Sequence, residues 1–453
     1  MKQTSHLNEF IRYASANVIG MIGLSVYILA DTFFISKGLG ANGLAALNLA
    51  IPVYSFMNGT GLMLGMGGAT RYSMLKARHD TRQTKQLIAN ILTVTGILAL
   101  FYMLLGAFFS EQLTYLLGAD AEIAAMTNTY LKVILLFAPA FLFNNVALAF
   151  VRNDGNPRLA MAAMLSGSFA NIVFDYIFIF QFGMGIFGAV LATGTAPVIG
   201  LLILSAHFRQ KKSLTASSVT AKSEMRTPLS LLSRGFRLLS LHTIFSCVSL
   251  GLPSLITEVS SGVVMIIFNM LVLNLRGNVG VAAYGVIANL SLVLISIYTG
   301  IAQGIQPIIS SAYGKDDHAA IRQTAKYGII AELILSALIY GLIAAFAPAI
   351  AAIFNSEGNA LLSQIAVPGL RLYFTAAPFV GFNIVISAYF TSTGKALPAQ
   401  LISLLRGIFL IVPLAFLMAH LAGITGIWLT FPLTEVIVCC IALFLLRHCL
   451  LVD

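Results

Sequence analysis

Charge is what this chain has least of. Only 9% of its residues are Asp, Glu, Lys or Arg, where a soluble domain carries about 25%, so a water-soluble globular protein is excluded. Cysteine is scarce as well. Cys247, Cys439, Cys440 and Cys449 all lie in or beside apolar stretches, which leaves no extracellular disulfide framework and no metal-ligand spacing. The single tryptophan, Trp428, falls near one end of an apolar segment and reads as an interface anchor. No GxxxxGK[ST] loop, HExxH pair or nucleophile with an adjacent base occurs, which argues against an ATP-driven pump or an enzyme and predicts no organic cofactor.

What is present is lipid-compatible. Hydrophobic residues make up 58% of the chain and the mean hydropathy is +0.92. Polar breaks separate apolar segments near 11–36, 44–70, 87–109, 127–150, 159–180, 186–208, 250–275, 281–313, 327–352, 367–390, 397–418 and 423–448. Each is near or above the roughly 20 residues that a spanning helix needs. None alternates as a barrel strand would. The expected fold is all-α, a polytopic membrane protein of twelve transmembrane helices. The first segment carries Asp31 and no small-residue cleavage site, so it reads as a retained helix rather than a signal peptide.

The net charge of +10 follows topology. With twelve spans, all but four of the 26 Lys and Arg residues fall on the side of the termini; Lys37, Lys132, Arg276 and Arg371 fall opposite. That asymmetry places both termini in the cytoplasm, with the chain crossing the membrane many times. The basic loops then meet lipid headgroups, and no nucleic-acid partner is expected.

An internal repeat divides the chain. Shifted by 239 residues, Ala138-Pro139 falls on Ala377-Pro378, Phe143-Asn144 on Phe382-Asn383, Gly155 on Gly394, and Gly61 and Gly65 on Gly300 and Gly304. The expectation is two pseudo-symmetric six-helix lobes, residues 1–208 and 241–453, of the same orientation because each holds an even number of spans. Residues 209–240 form a cytoplasmic linker, with an interfacial helix expected around 229–241.

The stretch Gly167 to Thr195 carries Asp175 inside an otherwise apolar run. A charge there costs about 2.5–3.5 kcal/mol even on the lenient insertion scale, so something must compensate it. Counting along the helices at 1.5 Å per residue puts Asp31, Asp175 and Thr193 roughly 8–11 Å from the external ends of their spans. Asn171, four residues before Asp175, shares its face one turn deeper. A lone Asn or Thr between membrane helices more often serves packing. Two aspartates at one level point instead to a cation site, with hard oxygen ligands for Na⁺ or a mutually repelling carboxyl pair for H⁺.

The run Leu29 to Pro52 (LADTFFISKGLGANGLAALNLAIP), the turn Arg152 to Met161 (RNDGNPRLAM) and Gly251-Leu252-Pro253 with Glu258 following resemble the multidrug and toxic compound extrusion (MATE) transporters, closest to their MepA-like bacterial branch. The resemblance implies the MATE/MOP fold, with V-shaped lobes, and cation-coupled antiport that exports cationic amphipathic drugs without ATP. It implies a cation site of Asp31, Asn171, Asp175 and Thr193 for H⁺ or Na⁺, and gives Glu258 the place of a carboxyl-lobe glutamate of NorM-like members. The aspartate those members carry on span 10 has no counterpart in Tyr373 to Phe390. Relatives often hold a proline where this chain has Ala16, so Gly20 and Gly23 are expected to supply any bend in span 1.

Adaptable apolar surface for substrate is expected from Met57, Met63, Met66, Met161 and Met164 beside Phe141 and Phe143, with Glu258 attracting a cation. Glu332 is expected to reach the interface, and Glu435 needs a partner that the sequence does not name. His79, His207, His318 and His448 fall at cytoplasmic ends, where solvent or headgroups suffice. The chain is expected to act as a monomer in the bilayer. The alternative class is a lipid or oligosaccharide-lipid flippase of the wider superfamily, for which few arginines lie deep enough, Arg406 excepted.

Overall fold

A bilayer offers backbone amides no water, so the apolar runs must close their hydrogen bonds within helices. The computed structural model describes residues 2–216, 240–355 and 359–452, and among them every regular element is helical. We label them α1 (Lys2–Ala77), α2 (Thr81–Leu116), α3 (Ala124–Leu136), α4 (Ala138–Asn153), α5 (Pro157–Tyr176), α6 (Gly185–Ala216), α7 (Leu241–Gly314), α8 (His318–Phe354), α9 (Ala360–Tyr373), α10 (Ala377–Ser392), α11 (Ala396–Leu404) and α12 (Ile411–Val452). Short π-helical turns follow α5 at Ile177–Gln181 and α11 at Leu405–Phe409.

The labels are not the spans, because three helices each hold a reversal. Gly40 (φ 67°, ψ −157°) divides α1, Gly277 (φ 64°, ψ −159°) divides α7, and Gly423 (φ 57°, ψ −134°) divides α12. A Cβ disfavours that backbone region strongly, which is why glycine stands at each point. Elsewhere two helices make one bent span: α3 and α4 meet at 48°. Counted with these breaks, the apolar stretches give the twelve expected spans.

Local chemistry sets the helix starts. Asp80 accepts the Gln83 amide at 2.9 Å ahead of α2, and Asn156, followed by Pro157, accepts that of Leu159 at 3.3 Å ahead of α5. Both acceptors satisfy amides that the first helical turn leaves unpaired. The repeat is visible in the backbone too. Ala138-Pro139 and Ala377-Pro378 each begin a helix after a break, and Gly155 (φ 101°) and Gly394 (φ 78°) both take the left-handed conformation.

Two compact units form. One comprises residues 19–255 and 310–317; the other comprises residues 1–18, 256–309 and 318–453. In the first, Ile35, Met57, Leu131, Ile134 and Leu142 centre the apolar core; in the second, Ile386, Phe390, Ile402 and Val438 centre another. Leu116, Leu202, Phe245 and Phe444 point outward, as lipid-facing positions do, while small polar residues such as Thr95, Ser168, Ser310 and Thr434 are enclosed.

Several expectations are corrected here. Trp428 is no interface anchor: it is 1% exposed and stacks on Tyr284 at 6.2 Å between ring centres, a flat indole filling the interior beside Gly369. Gly20 and Gly23 keep helical backbone in α1, whose one non-helical residue is Gly40. His207 is not free in solvent but pairs with Asp154 at 2.7 Å, a carboxylate that also accepts from Tyr72 at 2.7 Å and from Lys76. α6 runs on to Ala216, into the expected linker; of the interfacial helix expected at 229–241 only the last two residues are described, Ser240 capping α7 and Leu241 beginning it.

The glycine reversals are separable from ordinary helical glycines. Gly40→Ala and Gly277→Ala should each destabilise the fold by about 1–3 kcal/mol. Gly341→Ala, in a helical position of α8 with open space where its Cβ would stand, should be neutral or slightly stabilising. Thermal unfolding of the three variants in detergent measures the difference.

Candidate functional site

The site begins with two helices running side by side in register. The first span of α1 presents Gly20 and Gly23 to α5. A Cβ on Gly20 would lie 3.0 Å from the Met164 sulfur, and one on Gly23 would lie 2.5 Å from Leu165 Cδ2. Only hydrogen fits there without displacing a neighbour. Gly20 and Met164 are 144 residues apart, and so are Asp31 and Asp175. Eleven residues on from the glycine contact, about three turns, the same parallel packing therefore brings the two aspartates face to face.

Asp31 and Asp175 share a side-chain hydrogen bond, and Asp175 is fully buried while Asp31 is 7% exposed. With its amide oxygen accepting from the Thr193 backbone N–H at 3.1 Å, Asn171 donates to Asp175 Oδ2, also at 3.1 Å. Thr193, on α6, donates its hydroxyl to Ala189 of the preceding turn at 3.1 Å. Asp31 Oδ1 and Asp175 Oδ1 have no hydrogen-bond partner among the described residues. Two carboxyls this close cannot both be bare anions in an apolar interior; a proton or a cation must lie between them. The four residues singled out by depth are thus brought together.

Sequence reasoning missed a phenol. Tyr130, on α3, hydrogen-bonds to Thr193 and stands within electrostatic reach of Asp31, Asp175 and Tyr27. Its segment begins at the same expected membrane face as that of Thr193, so the same count along the helix puts Tyr130 near that level. One turn beyond the carboxyls Phe34 meets Phe180 at 6.0 Å and Tyr176 at 6.4 Å. This aromatic cluster spans the π-helical turn that follows Asp175. Turns of that kind recur at functional sites.

The MatE family profile matches residues 17–177 and 253–417, the two copies of the repeat. The chain belongs to the MatE family. Among relatives of this MatE chain, the multidrug export protein MepA of Staphylococcus saprophyticus is 26% identical, with 100% of this chain and 96% of the relative aligned. MepA of Staphylococcus aureus strain MRSA252 is 24% identical over 96% of this chain and 93% of its own length. An outward-facing structure of a multidrug resistance MATE family transporter of the MOP superfamily superposes with a TM-score of 0.86 at 24% identity, covering 97% of this chain and 95% of that one. A MATE structure in complex with MaL6 gives 0.87 at 24% identity, with the same coverage. The similarity to both structures is one of fold.

The residues expected to meet substrate do not form one group in this MatE chain. Met57 and Phe141 lie in the closed core of the first unit, where Tyr54 meets Phe141 edge-on at 5.5 Å; Phe143 packs half-buried against that core. Met63 belongs to a separate cluster with Leu64 and Cys247. Met66 takes the Arg152 guanidinium on its sulfur at 3.1 Å. Met161 and Met164 are half-buried on α5, and Glu258, half-buried on α7, belongs to the other unit.

Repeat positions beside the candidate site carry a different chemistry in the second half. At 239 residues' offset Gly167 corresponds to Arg406 and Ala196 to Glu435. Gly167 lets two helices close, its Cβ position 3.0 Å from the Ala196 carbonyl oxygen. Arg406 instead grips Glu435 Oε1 through Nη2 at 2.9 Å and Nε at 3.1 Å, and Asn383 donates to Glu435 Oε2 at 2.7 Å. Here is the partner that Glu435 required. Arg406→Met should cost about 3–5 kcal/mol because it leaves a buried carboxylate unpaired. Arg406→Met with Glu435→Gln should recover most of that loss, as read by thermal unfolding in detergent.

Proposed function

We propose that this chain exports cationic amphipathic compounds from the bacterial cytoplasm in exchange for H⁺ or Na⁺, by alternating access across the plasma membrane. The observation that carries the reading is the closed carboxyl pair Asp31–Asp175, with Asn171 and Thr193 beside it and one oxygen of each carboxyl unpartnered. Such a pair binds a cation when the surrounding helices allow one in, and is costly to leave empty. The names of the relatives support multidrug compounds as the cargo.

The lobes of this reading are residues 1–208 and 241–453, joined by 209–240, with both termini cytoplasmic and a single chain as the working unit. Coupling follows from linkage: if the cation and the drug favour opposite-facing states, or compete within one lobe, entry of one drives release of the other. A potential of 100 mV is worth about 2.3 kcal/mol per charge moved, which suffices for export against a substantial gradient. Within the first unit, Met66, Met161, Met164 and Phe143 are half-buried and deformable, and are the candidates for substrate contact. No bond is made or broken in this cycle. A flippase for pyrophosphate lipids is the weaker reading, because Arg406, the deep arginine such a role would use, is committed to Glu435.

Ethidium efflux from cells expressing the chain tests the reading. Efflux is expected with the parent and absent, at the level of cells without it, for Asp31→Asn and Asp175→Asn at equal membrane expression. In proteoliposomes, a pH step and a Na⁺ step imposed separately identify the ion. Ethidium retention by the parent, or efflux untouched by both substitutions, would remove antiport through this site.

A further inference from the structure

One acidic side chain in the second unit takes no part in the cycle just described. Glu332 lies on α8, expected from the sequence to reach the interface, yet it is 0% exposed. It is pressed on the backbone of α10: a Cβ on Gly381 would stand 2.1 Å from both its Cγ and its Oε1. Ser336, one turn along, donates to Glu332 Oε1 at 2.7 Å. Tyr298 of α7 meets Ser336 Oγ at 2.6 Å.

Where Ser336 gives its one hydroxyl proton to Glu332 Oε1, the phenol is the donor to Ser336. Tyr298 thus acts on Oε1 through Ser336, while Oε2 has no hydrogen-bond partner among the described residues. No other ionisable side chain stands within a turn of Glu332 on α8. From the elements around it, Tyr298 on α7 and Cys439 on α12 lie within its electrostatic reach. Glu435, also on α12 and also near Cys439, is occupied by Arg406 and Asn383. α10 offers the uncharged Gly381 wall.

No cationic side chain meets Glu332 among the described residues, so its charge is not balanced within the protein. Metal cations of the hard type need several oxygen ligands at once, and here only Glu332 supplies a free one. A proton needs a single oxygen. We propose that Glu332 is a second proton-binding site of this chain, carried on Oε2, with Oε1 held as the carbonyl oxygen by the Tyr298–Ser336 relay and with no part in the Asp31–Asp175 pair.

Infrared spectroscopy of the full chain reconstituted in lipid tests this without reference to transport. A protonated buried carboxyl gives a carbonyl stretch apart from carboxylate absorption, and Glu435, ion-paired, does not contribute there. The band is expected to persist in Asp31→Asn/Asp175→Asn and to vanish on adding Glu332→Gln, which is isosteric with the neutral acid. Ser336→Ala in the same background should move the band to higher frequency, since the carbonyl loses its hydrogen bond. This second variant keeps the test open if Glu332→Gln does not fold. A carboxyl band absent once both aspartates are replaced, unchanged by Glu332→Gln or unmoved by Ser336→Ala would overturn the proposal. Loss of ethidium export leaves these spectra unaffected, so the two readings fail separately.

Discussion

The structure depends on holding two carboxyl groups against each other where water is absent. Asp31 and Asp175 are tolerated because α1 and α5 approach closely enough, over Gly20 and Gly23, for one counter-ion or proton to serve both. The neighbours complete the arrangement. Asn171 commits its amide to Asp175 and to the α6 backbone, and Tyr130 and Thr193 close a third side. Loss of the close packing would leave two separate buried acids, each without compensation, so the stability of this region and its ion chemistry are the same problem.

The two halves solve a shared geometry in different ways. Repeat positions that pack helix on helix through Gly167 and Ala196 in the first half hold the Arg406–Glu435 pair in the second. The first half thus holds an aspartate pair with one oxygen of each carboxyl unpartnered among the described residues, and the second holds an ion pair closed within the chain, with Glu332 standing apart from both. The repeat shares a scaffold, and different residues at equivalent positions give the halves separate chemistry.

Much of the candidate site was legible because helical rise converts residue number into depth. In membrane spans that conversion is unusually direct, and it grouped Asp31, Asp175 and Thr193 with Asn171 before any contact was known. Rotation about the helix axis was less accessible. Depth could not say that Met57 faces a closed core, that Trp428 points inward to Tyr284, or that Glu332 is walled by Gly381 instead of reaching the interface. Amphipathic periodicity, which fixes such facings in soluble helices, is weak where lipid and core are both apolar.

By itself, the sequence determined the number of spans, the repeat and the level of the acidic residues, because hydropathy, spacing and the 1.5 Å rise act along the chain. The tertiary structure alone decided which of those residues touch: that Asp31 meets Asp175 across 144 positions, that Glu435 finds Arg406 and Asn383, and that Glu332 finds Ser336, itself bonded to Tyr298, with no cationic side chain among the described residues. The physical reason is that pairing of buried charges depends on how helices rotate and close on small residues, and no local pattern records that.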